Sequence, residues 1–237
     1  MQLVGIIGAM EQEVALLKQQ LQHCRTEQLG GYTFYLGELA SQPVVIVQSG
    51  IGKVAAAVAT TLMINQFAPD CIINTGSAGG FADDLQVGDV VISTDVIHHD
   101  VDVTAFGYAP GQVPQMPASF IADAALVSAA EQSISELGFC QTRKGLIATG
   151  DSFMCDPERI ARVRQQFPTM LAVEMEGAAI AQVCHMLNTP FVVIRSLSDI
   201  AGKESPTSFE AFLSIAAKNS SAMVTVMLPK LAADKTA

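Results

Sequence analysis

The chain has 237 residues, of which 50% are hydrophobic and 15% are charged, and its formal net charge is −10. This composition is enough for one sizeable core, while the acidic balance and the lack of a basic face disfavour binding to nucleic acid. Scattered cysteines without a CxxC pair, and no recognisable signal peptide or membrane-length apolar run, predict a cytoplasmic protein with no membrane partner.

Apolar runs of strand length alternate with segments of helical period along the chain. The first half predicts a strand over 3–8, a helix over 11–22, a hairpin over 32–50, a helix over 52–66 and extended segments over 71–76 and 87–103. After a polar loop over 104–119, the second half predicts a helix over 122–137, a strand over 144–150, a helix over 157–166 and a strand–helix–strand unit over 171–199. An apolar stripe over 209–231 predicts a last helix packed on the sheet. This alternation indicates a single-domain α/β sandwich with a largely parallel sheet.

Glycine and polar residues stand where the predicted strands end. These ends read GAM at 8–10, SGIG at 49–52, TGSAGG at 75–80, GDSF at 150–153, EME at 174–176 and RSLSD at 195–199. Ligands of open α/β sheets gather beyond the carboxyl ends of the strands. The sequence therefore predicts a cleft that these segments line.

Two glycine-rich segments match known motifs only in part. In SGIGK at 49–53, Val54 follows where a phosphate-binding loop needs Ser or Thr, which excludes that class of NTPase. The segment TGSAGG is neither a dinucleotide fingerprint nor a nucleophile elbow, and no matching base accompanies Ser77. We interpret Ser77 as a hydrogen-bonding residue, with a nucleophilic role as the weaker alternative.

The segment HHDVD at 98–102 leaves two interpretations open. On a strand, His98, Asp100 and Asp102 share one face and could contribute to a metal site. Because no further His or Cys cluster lies nearby in sequence, a polar strand end or an interface is favoured, and we predict no metal.

Four acidic residues and an arginine lie at predicted strand ends within otherwise apolar sequence. Glu13 is in the first turn of the first helix, Glu174 and Glu176 stand where a strand passes into a helix, and Arg195 and Asp199 share another strand end. Each alone could serve structure, for instance as the partner of a helix dipole. Because an unpaired charge in a dry core costs roughly several kcal/mol, the group as a whole favours a functional cleft.

Seven segments resemble, in order, those of the bacterial 5′-methylthioadenosine/S-adenosylhomocysteine nucleosidase family: GIIGAMEQE, SGIGKVAAA, INTGSAGG, DVTAFGY, ATGDSFM, AVEMEGAAIAQVCH and VVIRSLSD. They cover nearly the whole chain. The resemblance implies the fold of the purine nucleoside phosphorylase-like group, a three-layer sandwich around a mixed, partly barrel-like sheet. It also implies one catalytic domain over 1–237, a homodimer, and no cofactor or metal.

The same resemblance implies hydrolysis of the N-glycosidic bond of 5′-methylthioadenosine, S-adenosylhomocysteine and also 5′-deoxyadenosine. Adenine and the sugar would be released, as in methionine salvage and the clearance of methyl-transfer by-products. Asp199, beside Ser198, would protonate adenine N7, while Glu13 would orient the attacking water with help from Ser77 and Arg195. Further implied contacts are those of Glu176 and Met175 with the sugar, of Phe153 and the Met154 backbone with adenine, and an apolar wall of Met10, Ile51, Val103 and Phe209.

The resemblance also implies a role for the polar loop over 104–119. Phe106, Tyr108 and Pro114 would reach into the pocket of the second subunit, so that each active site needs both chains. Glu174, which lies beside Met175 on its strand, is left as a structural residue.

The physical chemistry of glycosidic cleavage agrees with these roles. Positive charge develops on the ribose and negative charge on the departing base, so an acid near the base and carboxylates near the sugar lower the barrier. The alternative is a purine nucleoside or methylthioadenosine phosphorylase of the same fold, which uses phosphate instead of water. Phosphorylases of this group commonly carry an arginine where this chain has Asn74, and carboxylates would repel phosphate, so hydrolysis is favoured.

Overall fold

The computed structural model describes residues 3–138, 140–203 and 205–233, with the side chains of 205–208 and 232–233 outside the description. The strands in chain order are β1 (Val4–Gly8), β2 (Gln22–Leu29), β3 (Tyr32–Leu39), β4 (Gln42–Gln48), β5 (Cys71–Gly80), β6 (Val90–His98), β7 (Phe120–Ile121), β8 (Thr142–Thr149), β9 (Met170–Glu174) and β10 (Phe191–Ile200). The α-helices are α1 (Glu11–Gln20), α2 (Lys53–Phe67), α3 (Ala124–Leu137), α4 (Pro157–Gln166), α5 (Gly177–Met186) and α6 (Ser205–Ala233), and a short 3-10 helix spans Thr104–Phe106.

All these strands belong to one mixed sheet that is partly closed. Strands β5, β9, β8, β6 and β10 pair in that order, and β10 pairs again with β5 to complete a ring. Strands β1, β4, β3 and β2 continue outward from β5 as an open extension. Helices α1, α3 and α6 pack together, as do α2 and α5. The predicted α/β class with a mixed, partly barrel-like sheet is confirmed.

The carboxyl ends of β1, β5 and β10 lie side by side at one edge of the sheet. Strand β1 pairs in parallel with β4 and β5, and β10 pairs in parallel with β5. The VGIIG segment of β1 is buried throughout, as is usual for a strand covered on both faces. Three of the strand ends that the sequence predicts to form a cleft are thereby neighbours.

Strand β2 is the main departure from the predicted elements. The sequence predicts a helix over 11–22, but α1 ends at Gln20, and Gln22–Leu29 form a strand at the edge of the sheet that pairs with β3. Most residues of β2 are exposed, so the strand lacks the apolar alternation on which the prediction depends. Helix α4, by contrast, has the predicted bounds, and Asp156 caps it by accepting a hydrogen bond from the Arg159 N–H at 2.7 Å.

Helix α6 is long and apolar enough over Phe209–Leu231 to cross a membrane, by length and composition alone. The expectation that no apolar run reaches such a length is therefore wrong. The helix packs against α1, α3, β5 and β10, and buries Met223 and Met227, as a core helix does. The prediction that this apolar stripe packs on the sheet is wrong for the first half of the helix, where Phe212 is 39% exposed.

Candidate active site

A cavity of about 210 Å³ lies at the carboxyl ends of β1, β5, β9 and β10, and it is smaller than the roughly 300–1,000 Å³ of most ligand pockets. Most residues that the sequence predicts for the site line it, namely Met10, Glu13, Ile51, Ser77, Phe153, Met154, Met175, Glu176, Ser198, Asp199 and Phe209. The cavity thus brings together side chains from strand ends that are far apart in sequence.

Glu13 lies in the first turn of α1, and its carboxylate accepts four hydrogen bonds. Oε2 accepts from the backbone N–H groups of Ala9 and Met10, at 2.8 and 3.0 Å. Oε1 accepts from the backbone N–H and the hydroxyl of Ser77, at 2.9 and 3.0 Å. A carboxylate offers about four lone-pair sites, so these donors hold the group in one orientation between β1 and β5.

Gly76 allows two charged side chains to approach the backbone of β5. A Cβ atom at this position would lie 2.5 Å from Nη1 of Arg195 and 2.7 Å from Oε1 of Glu13. Both neighbours are almost fully buried and cannot move aside easily. The position therefore requires glycine.

Arg195 lies behind the cavity wall and is 1% exposed. Its Nη2 donates to Oδ1 of Asn74 at 2.7 Å, forms an ion pair with Glu174 and lies 3.5 Å from Oε2 of Glu176. Burial alone would lower the pKa of the guanidinium, but Glu174, Glu176 and Glu13 outweigh it and hold this pKa above its ordinary value. One permanent cation thus stands behind several buried carboxyl groups.

Glu174 joins this cation to the turn between β9 and α5. Its Oε2 accepts from the backbone N–H groups of Glu176 and Gly177, at 3.0 and 2.7 Å. The Thr149 hydroxyl donates to Oε1 of the same carboxylate. Glu174 therefore fixes the backbone from which Glu176 projects, and it also orients Arg195.

Glu176 carries a carboxyl group with a raised pKa. Burial raises the pKa and the charge of Glu174 raises it further, whereas Arg195 and the Gly52 N–H lower it, and the outcome is a pKa of about 7. The Gly52 N–H donates to Oε1 of Glu176 at 2.9 Å. The ionisation of this group therefore changes within the neutral pH range.

Asp199 reaches the cavity through a β-bulge in β10. Leu197 is opposite Ala78 of β5 and Asp199 is opposite Gly79, so Ser198 is the extra residue of the bulge. The Ser198 hydroxyl donates to Oδ1 of Asp199 at 3.0 Å. Asp199 is 3% exposed, so its carboxyl group is shielded from bulk solvent although it lines the cavity.

Aromatic rings border the more open side of the cavity. The rings of Phe153 and Phe209 meet edge to face with their centroids 5.7 Å apart, and Phe153 is 40% exposed. Met154 beside them is buried. Such a surface suits contact with a planar apolar ligand face.

Comparison with known proteins identifies the family. The sequence model of the phosphorylase superfamily matches residues 3–229. A 5′-methylthioadenosine/S-adenosylhomocysteine nucleosidase from Pseudoalteromonas translucida is 66% identical over 97% of this chain and 98% of its own length. The chain belongs to this nucleosidase family. A nucleosidase of the same name from Anoxybacillus flavithermus is 60% identical over 96% of this chain and 98% of its own.

Solved structures of nucleosidases share the fold of this family member. The Colwellia psychrerythraea nucleosidase, solved in complex with adenine, has a TM-score of 0.95 and 57% identity, and the match covers 97% of this chain and 96% of that one. The Neisseria meningitidis nucleosidase, in complex with methylthio-immucillin-A, has a TM-score of 0.93 and 51% identity over 96% of this chain and 98% of that one.

Besides Arg195 behind the cavity wall, four residues predicted for this nucleosidase site lie outside the lining of the cavity of one chain. They are Val103, Phe106, Tyr108 and Pro114, in or beside the loop over 104–119. Phe106 is 82% exposed and points away from the core of its own chain. A role for this loop therefore needs a surface that the single chain does not supply.

The HHDVD segment of the nucleosidase makes contacts within the protein. His98 Nε2 lies 3.0 Å from Oε1 of Gln182, Asp100 pairs with Lys53, and Asp102 accepts from Thr104. Among the residues that the structure describes, no group of three or more His, Cys, Asp or Glu side chains is arranged to hold a metal ion. The contacts favour the interpretation of a polar strand end.

Glu174 is a carboxylate of the cavity lining to which the sequence interpretation gives a structural role only. It lines the cavity and contacts both Arg195 and the backbone of Glu176. Adjacent residues of a strand point to opposite faces, so the sequence predicts that Glu174 points away from the face of Met175 and serves a structural role. The sequence signal that indicates its contact with Arg195 is the presence of an arginine in an apolar segment, because a buried arginine requires a buried acid as its partner.

The raised pKa of Glu176 predicts a specific pH dependence of stability. The folded state holds the Glu176 proton up to a pKa of about 7, whereas an unfolded glutamate releases it near 4.5. Between these values the folded state binds more protons, so this group makes the free energy of unfolding fall as pH rises, by up to about 3 kcal/mol.

The Glu176→Gln variant isolates this contribution. Urea unfolding of the empty wild type and variant at pH 5 and pH 7.5 measures it. We expect the variant to gain stability relative to the wild type at the higher pH. The same difference between the two proteins at both pH values would contradict the assignment.

Proposed function

We propose that Asp199 and Glu13 share the chemistry of this nucleosidase, which hydrolyses the N-glycosidic bond of 5′-methylthioadenosine and S-adenosylhomocysteine to release adenine and the thioribose. The observation that carries the proposal is that two carboxyl groups, 1% and 3% exposed, border one cavity from different strand ends. Carboxyl groups on either side of a glycosidic bond are what acid-assisted hydrolysis requires. 5′-Deoxyadenosine, which has the same scissile bond, is a further proposed substrate.

Asp199 is the proposed general acid. The departing adenine gains negative charge as the bond breaks, and a proton delivered to N7 neutralises that charge. Gly79 of β5 lies beside the acid, and a Cβ there would stand 3.2 Å from Oδ2 of Asp199. The Ser198 hydroxyl bonds the other oxygen and supports its orientation. Burial excludes bulk water, so the proton passes to the base rather than to solvent.

Glu13 is the proposed partner of the attacking water. Three of its four donors are backbone N–H groups, which cannot turn away, whereas the Ser77 hydroxyl can rotate. Rotation of this hydroxyl opens one acceptor position on Oε1 and offers its own oxygen to the same water. Arg195, whose Nη1 donates to the Ser77 carbonyl at 3.4 Å, stabilises this corner of the cavity.

Glu176 is the proposed ligand of the ribose hydroxyls, with Met175 against the sugar ring. Its carboxylate supplies negative potential beside a sugar that becomes cation-like in the transition state. Substrate hydroxyls and positive charge on the sugar both favour the ionised form of a group whose pKa in the empty site is about 7. Phe153 and the Met154 backbone hold adenine, and Met10, Ile51 and Phe209 form the wall around the sugar and the thioalkyl arm, whereas Val103 does not line the cavity of the same chain.

A homodimer is the proposed active unit, formed in the cytoplasm from chains that are each one catalytic domain. Several apolar side chains are exposed in the single chain, including Ile51, which lines the cavity, at 59%, Val54 at 76% and Phe106 at 82%. A second copy of this chain would bury them, and its Phe106, Tyr108 and Pro114 would close the pocket. All five cysteines are free thiols, which suits a reducing compartment.

Water, not phosphate, is the acceptor of the sugar. The backbone N–H groups of Ala9, Met10 and Ser77 could bind an anion, but the Glu13 carboxylate already occupies them. A phosphate ion would have to approach this carboxylate, and like charges repel strongly where little solvent screens them. Asn74 supplies no positive charge and instead binds Arg195.

An assay of adenine release tests the proposal. The nucleosidase is expected to release adenine from 5′-methylthioadenosine in phosphate-free buffer at its full rate, and added phosphate should not increase the rate. A reaction that starts only after phosphate is added would indicate a phosphorylase. Substrate binding without turnover in either buffer would indicate a ligand-binding protein on an enzyme fold.

A further inference from the structure

The loop over 150–155 carries the proposed adenine contacts, yet packing alone does not hold it in place. No helix or strand includes these residues. Phe153 is 40% exposed and meets the ring of Phe209 at the open side of the cavity. Met154 is the one buried apolar side chain of the loop, so the position of the other loop residues depends on hydrogen bonds at the ends of the loop and along its backbone.

Asp151 ties this loop to two other elements through a closed set of contacts. Its backbone N–H donates to Oδ2 of Asp100 at 3.0 Å, just after β6. Its Oδ1 accepts from the backbone N–H of Lys53 at 2.8 Å, at the start of α2. The Lys53 ammonium donates to Oδ1 of Asp100 at 2.7 Å and closes the triangle. We call Asp100, Asp151 and Lys53 the loop anchor.

Two of the three charges of the loop anchor are partly shielded from solvent, whereas Asp151 is exposed. The side chains of Lys53 and Asp100 are 22% and 28% exposed. Burial raises the pKa of Asp100, but its contacts with the Lys53 ammonium and the Asp151 N–H outweigh burial and hold this pKa below its ordinary value. The contacts therefore favour the charged form of the Asp100 carboxyl group.

The loop anchor adjoins the proposed ribose ligand. Successive backbone N–H groups bind two carboxylates, since Gly52 donates to Glu176 and Lys53 donates to Asp151. Glu176 lies on the side of the cavity proposed to hold the sugar, and Asp151 belongs to the loop proposed to hold the base. One short segment at the start of α2 thus sets the distance between the two sides.

His99 supports the loop from below and limits where it can move. A Cβ at Gly150 would lie 2.4 Å from Cε1 of the His99 ring, so the loop backbone rests directly on the imidazole. The His99 N–H also donates to the Thr149 carbonyl at 2.8 Å. The His99 ring therefore restricts movement of the loop backbone toward the imidazole, and the hydrogen bonds of the loop anchor restrict its movement in other directions.

We propose that Asp151 and Asp100 are positioning residues, which set the loop over 150–155 at the distance from Glu176 that places adenine for protonation. Neither residue lines the cavity, so both act through the loop. The inference rests on the proposed function only in taking this loop as the adenine contact.

The test compares the binding of the two products. We expect Asp151→Ala and Asp100→Ala to weaken the binding of adenine about tenfold, because a small displacement of the loop misplaces its contacts. Binding of methylthioribose is expected to stay within about twofold, because Glu176 and Met175 keep their places. Asp151→Asn retains an oxygen that can accept from the Lys53 N–H and should recover most of the adenine affinity. Calorimetry measures both affinities without turnover.

The matched control is Glu131→Ala, which removes an equally short ion pair with Lys144, at 2.7 Å, in a region that does not line the cavity. It should leave both affinities unchanged. Normal adenine binding by Asp151→Ala and Asp100→Ala would overturn the inference. So would an equal loss of both product affinities, because that pattern indicates a general structural role. If the wild type releases and binds adenine and these two variants bind adenine with wild-type affinity, the positioning role of the loop anchor is contradicted while the proposed function stands.

Discussion

The Asp199→Asn variant is expected to lose at least about 100-fold in kcat, because the departing adenine no longer receives a proton. The substitution replaces one carboxyl oxygen by an NH2 group of nearly the same size, and the Ser198 hydroxyl can still donate to the remaining oxygen. The melting temperature should therefore change little. The decrease in kcat is measured with 5′-methylthioadenosine at saturating concentration, so that a change in affinity does not mask it.

Asp95→Asn is a suitable control for this variant. Asp95 lies on β6 and accepts a hydrogen bond from the Thr94 hydroxyl, and it does not line the active-site cavity. Its substitution should leave kcat within about twofold, as is usual for changes away from a functional site. If Asp199→Asn turned over at a rate close to that of the wild type, the proton would have to come from another group.

The Glu13→Gln variant is expected to lose both activity and stability. The wild-type carboxylate meets two donors at each oxygen, whereas glutamine has one oxygen and one NH2 group. With the NH2 group at the Oε2 position, the N–H groups of Ala9 and Met10 lose their acceptor. With it at the Oε1 position, the Ser77 N–H loses its acceptor, although the Ser77 hydroxyl can rotate to accept from the NH2 group. At least one buried donor is therefore left unpaired, at a cost of about 1–3 kcal/mol. We expect kcat to fall about 100-fold or more and the melting temperature to fall by several degrees.

Glu11→Gln tests whether this double effect belongs to Glu13 alone. Glu11 is in the same helical turn but is exposed, and it pairs with Lys18 at 2.7 Å. Exposed pairs of this kind contribute about 0–1 kcal/mol, so both kcat and the melting temperature should stay near their wild-type values. A fully active and fully stable Glu13→Gln variant would remove Glu13 from the mechanism and contradict the four-donor arrangement.

Most of the fold could be predicted from the sequence, because its buried strands are continuous apolar runs. The run VGIIG of β1 is an example, and the Asp-Pro pair at 156–157 marked the start of α4 at the observed residue. Strand β2 could not be predicted, because its stability comes from pairing with β3 and not from an apolar face of its own. The prediction of a buried stripe is wrong for the first half of α6, because apolar residues there, such as Phe212, are left exposed.

The location of the site could be predicted from glycine and acidic residues at strand ends, but not its internal arrangement. The bulge at Ser198 depends on the pairing of β10 with β5, which no local pattern encodes. The contacts of Glu174 could not be predicted because its partners, Arg195 and Thr149, come from other strands. The loop anchor could not be predicted for the same reason, since Lys53 and Asp100 are 47 residues apart and Asp100 and Asp151 are 51 residues apart along the chain.

A crystal structure of this nucleosidase with a non-hydrolysable analogue of 5′-methylthioadenosine tests the arrangement of acid and water most directly. The account predicts an Asp199 oxygen within about 3 Å of the N7 position of the base, and a water within about 3 Å of Glu13 on the opposite face of the sugar. An analogue bound with its base away from Asp199, or with no room for water between Glu13 and the sugar, would contradict it.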